Sequence, residues 1–243
     1  RVVDKPRQRK KGVGVVAVDP TSPFSGGALL GDRIRMRDHF LDEGVFIRSL
    51  ATRRGRGGVS GTIREAIHVL DAMGKDTILV ETIGVGQDQV EVSTLSHTVV
   101  VVVIPWSGDD IQAMKTGILE TADLVVINKC DLPGVEPVVR RLCSLYANGR
   151  RPVLQTSALK NEGIKPLVDE IERQREELLA GDDHLERNMN FCRHELLSLL
   201  QEKMYKQAIR KLKGPSVEAL LQRIAERKID PYTAVEKIAT NRQ

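Results

Sequence analysis

The chain has 243 residues, of which 41% are hydrophobic, 29% are charged and only 3% are aromatic, with a net charge of +4. This balance excludes a largely disordered chain, and a small basic excess without stacking aromatic residues argues against nucleic acid as a partner. No apolar run approaches the ~20 residues of a membrane-spanning helix. The three cysteines are scattered without metal-type spacing, which favours a reducing, cytoplasmic location.

Short valine-rich runs alternate with helix-like patterns as far as residue 180. The runs predict strands over residues 13–18, 45–50, 77–80, 98–104, 124–127 and 152–155. The intervening patterns predict helices over residues 27–41, 60–73, 109–116, 136–147 and 164–179. This alternation predicts an α/β fold with a mostly parallel sheet. Because ligands of such sheets bind at the carboxyl ends of the strands, functional residues are expected directly after the apolar runs.

The pattern changes beyond Gly181, so we predict a sheet domain over residues 1–180 and a helical extension over 181–243. A long helix is predicted over residues 184–213, and Gly214-Pro215 separates it from two shorter helices. Its apolar residues recur at spacings of three and four: Leu185, Met189, Cys192, Leu196, Leu200 and Met204. This stripe needs a partner, either its own domain or a second copy, and the heptad-like spacing favours a dimer arm.

The predicted strand 124–127 stops abruptly at Asn128-Lys129-Cys130-Asp131. A carboxylate such as that of Asp131 can accept two hydrogen bonds from the N1 and N2 groups of guanine, which adenine does not offer. Asn128 can brace the loop, and the stem of Lys129 can lie along the purine face. The tetrapeptide alone is a weak signal, but its place after a buried strand strengthens the prediction of a guanine site.

Two further motifs follow other predicted strands. In QTSALKNEG, the backbone N–H groups of Ser157, Ala158 and Leu159 are expected to hold the guanine carbonyl. In ILVETIGVGQ, Glu81 and Gly84 stand where GTPases place an acidic residue and a glycine that senses the γ-phosphate. The alternative is that Glu81 is an ordinary carboxylate at a strand end and Gly84 forms a turn.

Three acidic residues at or beyond the ends of predicted strands suggest a metal site. Asp19 ends the first strand, Asp32 lies near the start of a helix-like segment, and Glu81 ends the third strand. Mg²⁺ prefers a few carboxylates, bound directly or through water, with phosphate oxygens completing the octahedron. Asp32 has the alternative roles of an ion pair with a neighbouring arginine or of a helix N-cap.

These motifs, in this order, resemble the GTPases that chaperone adenosylcobalamin-dependent acyl-CoA mutases, the methylmalonyl-CoA mutase accessory family. Some members are also labelled as arginine/ornithine transport system kinases. The resemblance runs from about residue 12 to 179 and is carried by VAVDPTSPFSGGALLGDRIRM, FIRSLATRRGRGGVS, ILVETIGVGQDQVEV, PWSGDDIQAMKTGILETADLVVINKCD and QTSALKNEG. It implies a P-loop NTPase-like fold, binding of GTP, GDP and Mg²⁺, homodimerisation through the C-terminal helices, and GTP-gated loading and protection of a mutase.

The resemblance also implies roles for particular residues. It assigns Mg²⁺ binding to Asp19, Asp32 and Glu81, catalysis to Asp32, Glu81 and Lys115, and the response to hydrolysis to Gly84. Residues 107–115 would form a loop that senses the mutase, with three candidates for contacts that reach the phosphates: Asp109, Gln112 and Lys115. A lysine supplied there would stabilise charge on the transferring phosphoryl group, whereas the alternative for Lys115 is a solvated helix residue.

The phosphate-loop motif G-x-x-x-x-G-K-[ST] does not occur in these 243 residues. In the family it precedes the helix inside which this sequence starts, so we expect a sheet that lacks its first strand and its phosphate loop. Most nucleotide affinity in such enzymes comes from that loop and the metal. We therefore expect the chain as written to bind GTP weakly and to hydrolyse it negligibly, and to be a fragment of a longer gene product.

Two other functions compete with a mutase chaperone. A nickel-insertion metallochaperone GTPase would need clustered cysteine and histidine ligands, and the sequence shows no such cluster. A non-catalytic dimeric interaction protein would keep the partner-facing loop without catalysis. A transport-linked kinase has no support from the residues. The arginine-rich segment 53–58 could form an RNA-binding patch, but a single short instance after a strand favours a glycine-rich loop near the nucleotide.

Overall fold

The computed structural model describes residues 1–20, 36–52, 58–82, 95–105, 118–146, 151–180, 183–211 and 215–240. The chain divides into two compact units, Arg1–Cys192 and Arg193–Gln243. The described strands all belong to the first unit. Among the helices described, none combines the length and the apolar character that a membrane crossing requires.

The described elements alternate between strands and helices through the first unit. The strands are β1 (Val13–Pro20), β2 (Val45–Thr52), β3 (Thr77–Thr82), β4 (Val100–Val103), β5 (Leu124–Ile127) and β6 (Val153–Gln155). The α-helices are α1 (Asp4–Gln8), α2 (Gly58–Ala72), α3 (Ile118–Thr121), α4 (Glu136–Leu145), α5 (Ile164–Ala180), α6 (Asp183–Lys211), α7 (Pro215–Ala225) and α8 (Pro231–Thr240). A 3₁₀ turn covers Arg37–His39.

The first sheet has the order β2-β1-β3, with both pairs of strands parallel. The central strand β1 is almost continuously apolar, as expected for a parallel strand that is covered on both faces. On one face Val16 packs against Ile63 and Leu70 of α2. On the other face Val13 and its neighbour Val15 pack against Val3, which directly precedes α1.

The second sheet has the order β4-β5-β6 and is also parallel. All four residues of its central strand β5 are buried. Val125 and Ile127 pack against the α4 side with Leu142, while Leu124 and Val126 pack against Leu167 of α5. Because both faces of β5 are covered, its polar continuation at Asn128 marks the point where the chain leaves the core.

The predicted α/β fold with parallel strands is confirmed, and each predicted strand is present with bounds shifted by at most a few residues. Within the described residues, the strands form two hydrogen-bonded groups rather than one. The predicted helix over residues 27–41 falls mostly outside the described part of the chain, and its end forms only a 3₁₀ turn. The helix predicted over residues 109–116 also lies outside the described residues.

The N-terminal segment joins the two sheets of the first unit. Val3 packs on the first sheet, and Val2 packs on the cluster of Leu124 and Val126 in the second. The Arg7 guanidinium donates to both carboxylate oxygens of Asp42, at 2.8 and 2.6 Å. These hydrogen bonds hold the pKa of Asp42 below its ordinary value. Arg9 pairs with Glu172 of α5, and Lys11 lies 3.8 Å from the same carboxylate.

The second unit comprises the last part of α6 together with α7 and α8. Val217 of α7 and Ala234 of α8 are buried, and the two short helices are in contact with each other. Asp230 begins α8 by accepting hydrogen bonds from the N–H and the hydroxyl of Thr233, at 3.0 and 2.6 Å. This is the N-cap arrangement that satisfies the first amides of a helix. The start of α8 after Asp230 therefore has a direct structural cause.

Gly163 shapes the turn between β6 and α5. Its φ is +71°, and a β-carbon added to it would lie 2.1 Å from the backbone carbonyl oxygen of Gln155. Gly134, which precedes α4, has a φ of +85° but open space around its Cα. Both positions favour glycine for backbone reasons, but only Gly163 also lies against a neighbouring carbonyl.

We expect Gly163→Ala to lower the free energy of unfolding by about 2–4 kcal/mol, because the methyl group adds a backbone clash to the strain of a positive φ. The matched control Gly134→Ala carries the φ strain alone and should cost about 1 kcal/mol. Urea unfolding followed by circular dichroism measures both. Equal losses for the two variants would contradict the close approach of Gly163 to Gln155.

Candidate functional site

Two loops meet at the carboxyl ends of β5 and β6. Asp131 lies in the loop after β5, and Ser157 lies in the loop after β6. The Ser157 hydroxyl donates to Oδ1 of Asp131 at 2.6 Å. Ser157 is only 1% exposed, whereas Asp131 is half-buried and keeps contact with solvent. A carboxylate is thus held in a fixed orientation at the surface by a buried hydroxyl.

Asn128 braces the same two loops, as the sequence predicts for it. Its Oδ1 accepts hydrogen bonds from the hydroxyl of Thr156 at 3.2 Å and from the N–H of Ala158 at 3.1 Å. Its own N–H donates to the carbonyl of Val103 at 2.8 Å, which ties the loop to β4 as well. Its side-chain nitrogen has no acceptor in the described part of the chain.

The electrostatics of the pair keep Asp131 charged. The hydrogen bond from Ser157 lowers the pKa of Asp131, and the positive charges of Lys160 and Lys129 act in the same direction. The neighbouring Cys130 has a raised pKa because its thiol is partly buried. Its Sγ lies 3.1 Å from the carbonyl oxygen of Ile127. Cys130 therefore serves as packing, while Asp131 presents a negative charge.

The loop after β6 is closed by its own backbone. The N–H of Ser157 donates to the carbonyl of Glu162 at 3.0 Å, and the N–H of Glu162 donates back at 3.1 Å. The predicted donors Ser157 and Ala158 therefore already have acceptors inside the protein. Leu159 is 81% exposed and its N–H has no acceptor among the residues described. Of the three predicted backbone donors, Leu159 is thus the one without an acceptor among the described residues, and its contact with a base stays a prediction.

Lys129 has a φ of +62°, which is uncommon for a residue with a side chain. Its carbonyl accepts a hydrogen bond from the N–H of Leu132 at 3.1 Å, so a tight turn follows. The side chain is exposed. Strained backbone of this kind costs about 1 kcal/mol and persists where the surrounding structure determines the conformation. Its predicted contact with a purine face stays a prediction.

The predicted metal residues lie partly within the described chain. Asp19 is near the end of β1 and Glu81 near the end of β3, on strands that are hydrogen-bonded neighbours. Asp32, Gly84, Asp109, Gln112 and Lys115 lie outside the described residues. Across the ranges that are described, no group of three acidic, histidine or cysteine residues could hold a metal ion. Carboxylates such as Asp19 and Glu81 nonetheless suit Mg²⁺ chemically, and its site stays a prediction.

Two residues of this region were not predicted from the sequence. Thr156 was assigned no role, yet it is 3% exposed and bonds to both Asn128 and Cys130. Gly163 closes the loop that carries Ser157. A threonine directly before the loop serine was the available signal, but a single residue at the end of a predicted strand does not indicate a hydrogen-bonding role.

Comparison with known proteins extends these observations. A putative GTPase of Pyrococcus abyssi is 42% identical over 241 residues, which cover 95% of this chain and 74% of that protein. The mitochondrial methylmalonic aciduria type A homolog of mouse is 35% identical over 201 residues, 78% of this chain and 48% of that protein. The hydrogenase maturation factor HypB of Archaeoglobus fulgidus aligns structurally over 70% of this chain and 81% of its own, with 18% identity and a TM-score of 0.49. Likeness at that level carries no argument about function.

The sequence profile of the family described as "Methylmalonyl Co-A mutase-associated GTPase MeaB" matches residues 1–213. The match covers every described strand and the helix α6, including the loops that carry Asp131 and Ser157. On this match and on the similarity to the Pyrococcus protein, the chain belongs to the MeaB family of methylmalonyl-CoA mutase-associated GTPases.

Proposed function

We propose that this protein binds GTP and GDP and chaperones an adenosylcobalamin-dependent acyl-CoA mutase of the methylmalonyl-CoA type. Its hydrolysis of GTP would gate the loading and protection of the mutase cofactor. The observation that carries the nucleotide part is the Asp131 carboxylate, held by Ser157 at 2.6 Å between the ends of two buried parallel strands. The family match over residues 1–213 supports the partner class.

Base recognition is assigned to the two loops. The Asp131 carboxylate accepts from the N1 and N2 groups of guanine, and its lowered pKa keeps both oxygens available as acceptors. The side-chain nitrogen of Asn128, which has no acceptor among the residues that the structure describes, can donate to a ring nitrogen of the purine. The N–H of Leu159 can donate to the guanine carbonyl, and the stem of Lys129 can cover one face of the base. Adenine, which has no N1 or N2 donor, would leave Asp131 unpaired.

The phosphates and the metal are assigned to the ends of β1 and β3 and the segments beyond them. Asp19, Asp32 and Glu81 would hold Mg²⁺ directly or through water. When bound, the ion would neutralise charge on the phosphate oxygens during hydrolysis. Gly84 would respond to the γ-phosphate. The mutase would act through Asp109, Gln112 and Lys115, of which the lysine would add positive charge at the phosphates.

The helix α6 is assigned to homodimerisation. Leu185, Leu196 and Met204 are each more than half exposed, so these three residues of the predicted stripe are largely uncovered by the residues that the structure describes. Exposed apolar surface of this extent marks a protein interface. A second copy fits this role, because helices pair through such spacing. The three free cysteines are consistent with action in the cytoplasm.

Asp131→Asn is expected to exchange guanine for xanthine as the preferred base. An asparagine offers one acceptor and one donor, which match the N1 donor and the C2 carbonyl of xanthine, whereas guanine offers two donors. GTP affinity should fall by at least about 100-fold while XTP affinity rises. Competition with a fluorescent nucleotide on the natural gene product measures both.

Asp169→Asn, at an exposed carboxylate of α5, is the control for this exchange and should leave both affinities unchanged. Retention of GTP preference by Asp131→Asn would exclude Asp131 from base recognition.

Ser157→Ala is expected to raise the pH at which GTP binding is half lost on acidification. In the wild type the hydrogen bond from Ser157 lowers the pKa of Asp131, so the carboxyl group stays ionised, and able to bind guanine, to lower pH. Without that bond the pKa rises towards its ordinary value, and the carboxylate protonates earlier as the pH falls. Nucleotide titrations between about pH 2.5 and 6, which bracket the ordinary pKa of an aspartate, measure the midpoint.

Ser144→Ala, on the exposed side of α4, should leave that midpoint unchanged. An unchanged midpoint in Ser157→Ala would contradict the role given to its hydroxyl.

A charged substitution in the α6 stripe is expected to dissociate the dimer. Leu196 and Leu200 are 67% and 51% exposed in the single chain. Replacement of both by glutamate places charge in an apolar contact and should convert a species of twice 27.0 kDa into the monomer, as measured by light scattering. Val69→Glu, at an exposed apolar residue of α2, should stay dimeric. A wild-type monomer would reject the assignment of α6.

A further inference from the structure

The segment 95–99, which leads into β4, is fixed at both of its ends. At one end Leu95 is only 7% exposed and packs in the same apolar cluster as Leu70 of α2. At the other end the N–H of Val99 donates to Oδ2 of Asp123 at 2.8 Å, and the carbonyl of Val99 accepts from the N–H of Asp123 at 2.9 Å. The residues between these two ends are therefore held by both sheets of the first unit.

His97, in the middle of this segment, contacts the long helix α6. Its ring stacks on the ring of Phe191, with the two centroids 6.0 Å apart and an angle of 15° between the planes. His97 is exposed, whereas Phe191 is half-buried. Aromatic rings at this separation attract each other beyond the surface area that they bury. The stack therefore attaches the first part of α6 to a fixed segment of the same chain.

Phe191 belongs to the covered face of α6. The described side chains of this helix that are half-buried rather than exposed recur at spacings of three and four: Asn188, Phe191, Glu195, Ser198 and Glu202. With 3.6 residues per turn, Phe191 lies about 150° around the helix from the centre of the apolar stripe that begins at Leu185 and ends at Met204. The covered face is thus the more polar one, and the apolar stripe lies on the opposite side of the helix.

We propose that the stack of His97 on Phe191 is a positioning contact for homodimerisation, which holds α6 by its polar face and presents its apolar stripe to a second copy. The inference rests on the proposed function, because it assumes that α6 forms the dimer interface. A second copy is the occupant because it offers the same spacing of apolar residues along a helix of 29 residues. A helix that is already fixed to its own chain loses less freedom on association, so the dimer is more stable.

His97→Ala removes the ring on which Phe191 stacks. The loss of one such stack corresponds to about a threefold change in an equilibrium constant, and a dimer contains two of them. We therefore expect the Kd of the dimer to rise about tenfold. Fluorescence-detected sedimentation of the natural gene product, over a dilution series in which the wild type dissociates, measures it. His97→Phe keeps a ring at this position and should restore the wild-type Kd.

A double-mutant cycle separates the stack from other effects of substitution. Phe191→Leu keeps an apolar side chain at the half-buried position but ends the stacking. If the two residues act through each other, the variant with both His97→Ala and Phe191→Leu dissociates no more readily than either single variant. His68→Ala, at an exposed histidine of α2, is the matched control and should keep the wild-type Kd. Circular dichroism reports whether each variant keeps its helices.

The sedimentation results decide between the outcomes. A rise in Kd for both single variants, with no further rise in the double variant and with recovery in His97→Phe, supports the inference. An unchanged Kd in the single variants, or effects that multiply in the double variant, overturns it. Should His97→Ala not fold, Phe191→Leu against Phe191→Tyr makes the same comparison. A wild type that is monomeric at every concentration would instead reject the homodimer of the proposed function, and the inference with it.

Discussion

The hydrogen bond between the Ser157 hydroxyl and the Asp131 carboxylate is the constraint on which the candidate site depends. The two residues are 26 positions apart in the chain and meet at 2.6 Å. They meet because β5 and β6 are adjacent and parallel, so that their carboxyl ends lie at the same edge. The bond both orients the carboxylate and lowers its pKa, which makes one contact responsible for geometry and for charge.

The scaffold beneath this contact is rigid for an identifiable reason. β5 is buried on both faces between α4 and α5, and Asn128 is tied by its backbone to β4 and by its side chain to the loop after β6. Close-packed interiors resist small displacements, so the positions of the strands fix the positions of the loops that follow them. The N-terminal segment adds a second constraint, since Val2 and Val3 pack on the two sheets and Arg7 and Arg9 pair with acidic residues.

The strands were predictable because burial on both faces of a parallel sheet demands long runs of valine, leucine and isoleucine. The run over residues 124–127 corresponds to β5 without any shift of its bounds. The apolar spacing was a poorer guide near residues 36–41, where it predicted the end of an α-helix and the structure has a 3₁₀ turn. The turn at Arg37–His39 is short and exposed, so no buried apolar face was present to extend it into an α-helix.

The sequence by itself determined the class of fold and the resemblance to mutase-associated GTPases, and it predicted a guanine motif at residues 128–131, because these depend on apolar runs and on residues that are close in the chain. Only the tertiary structure decided which of the predicted backbone donors already have a hydrogen-bond acceptor within the protein. The N–H groups of Ser157 and Ala158 have acceptors within the protein, the N–H of Leu159 has none in the part of the chain that the structure describes, and Thr156 lies between the loops. Hydrogen bonds between distant segments depend on how the strands align, and the sequence of one segment alone does not determine that alignment.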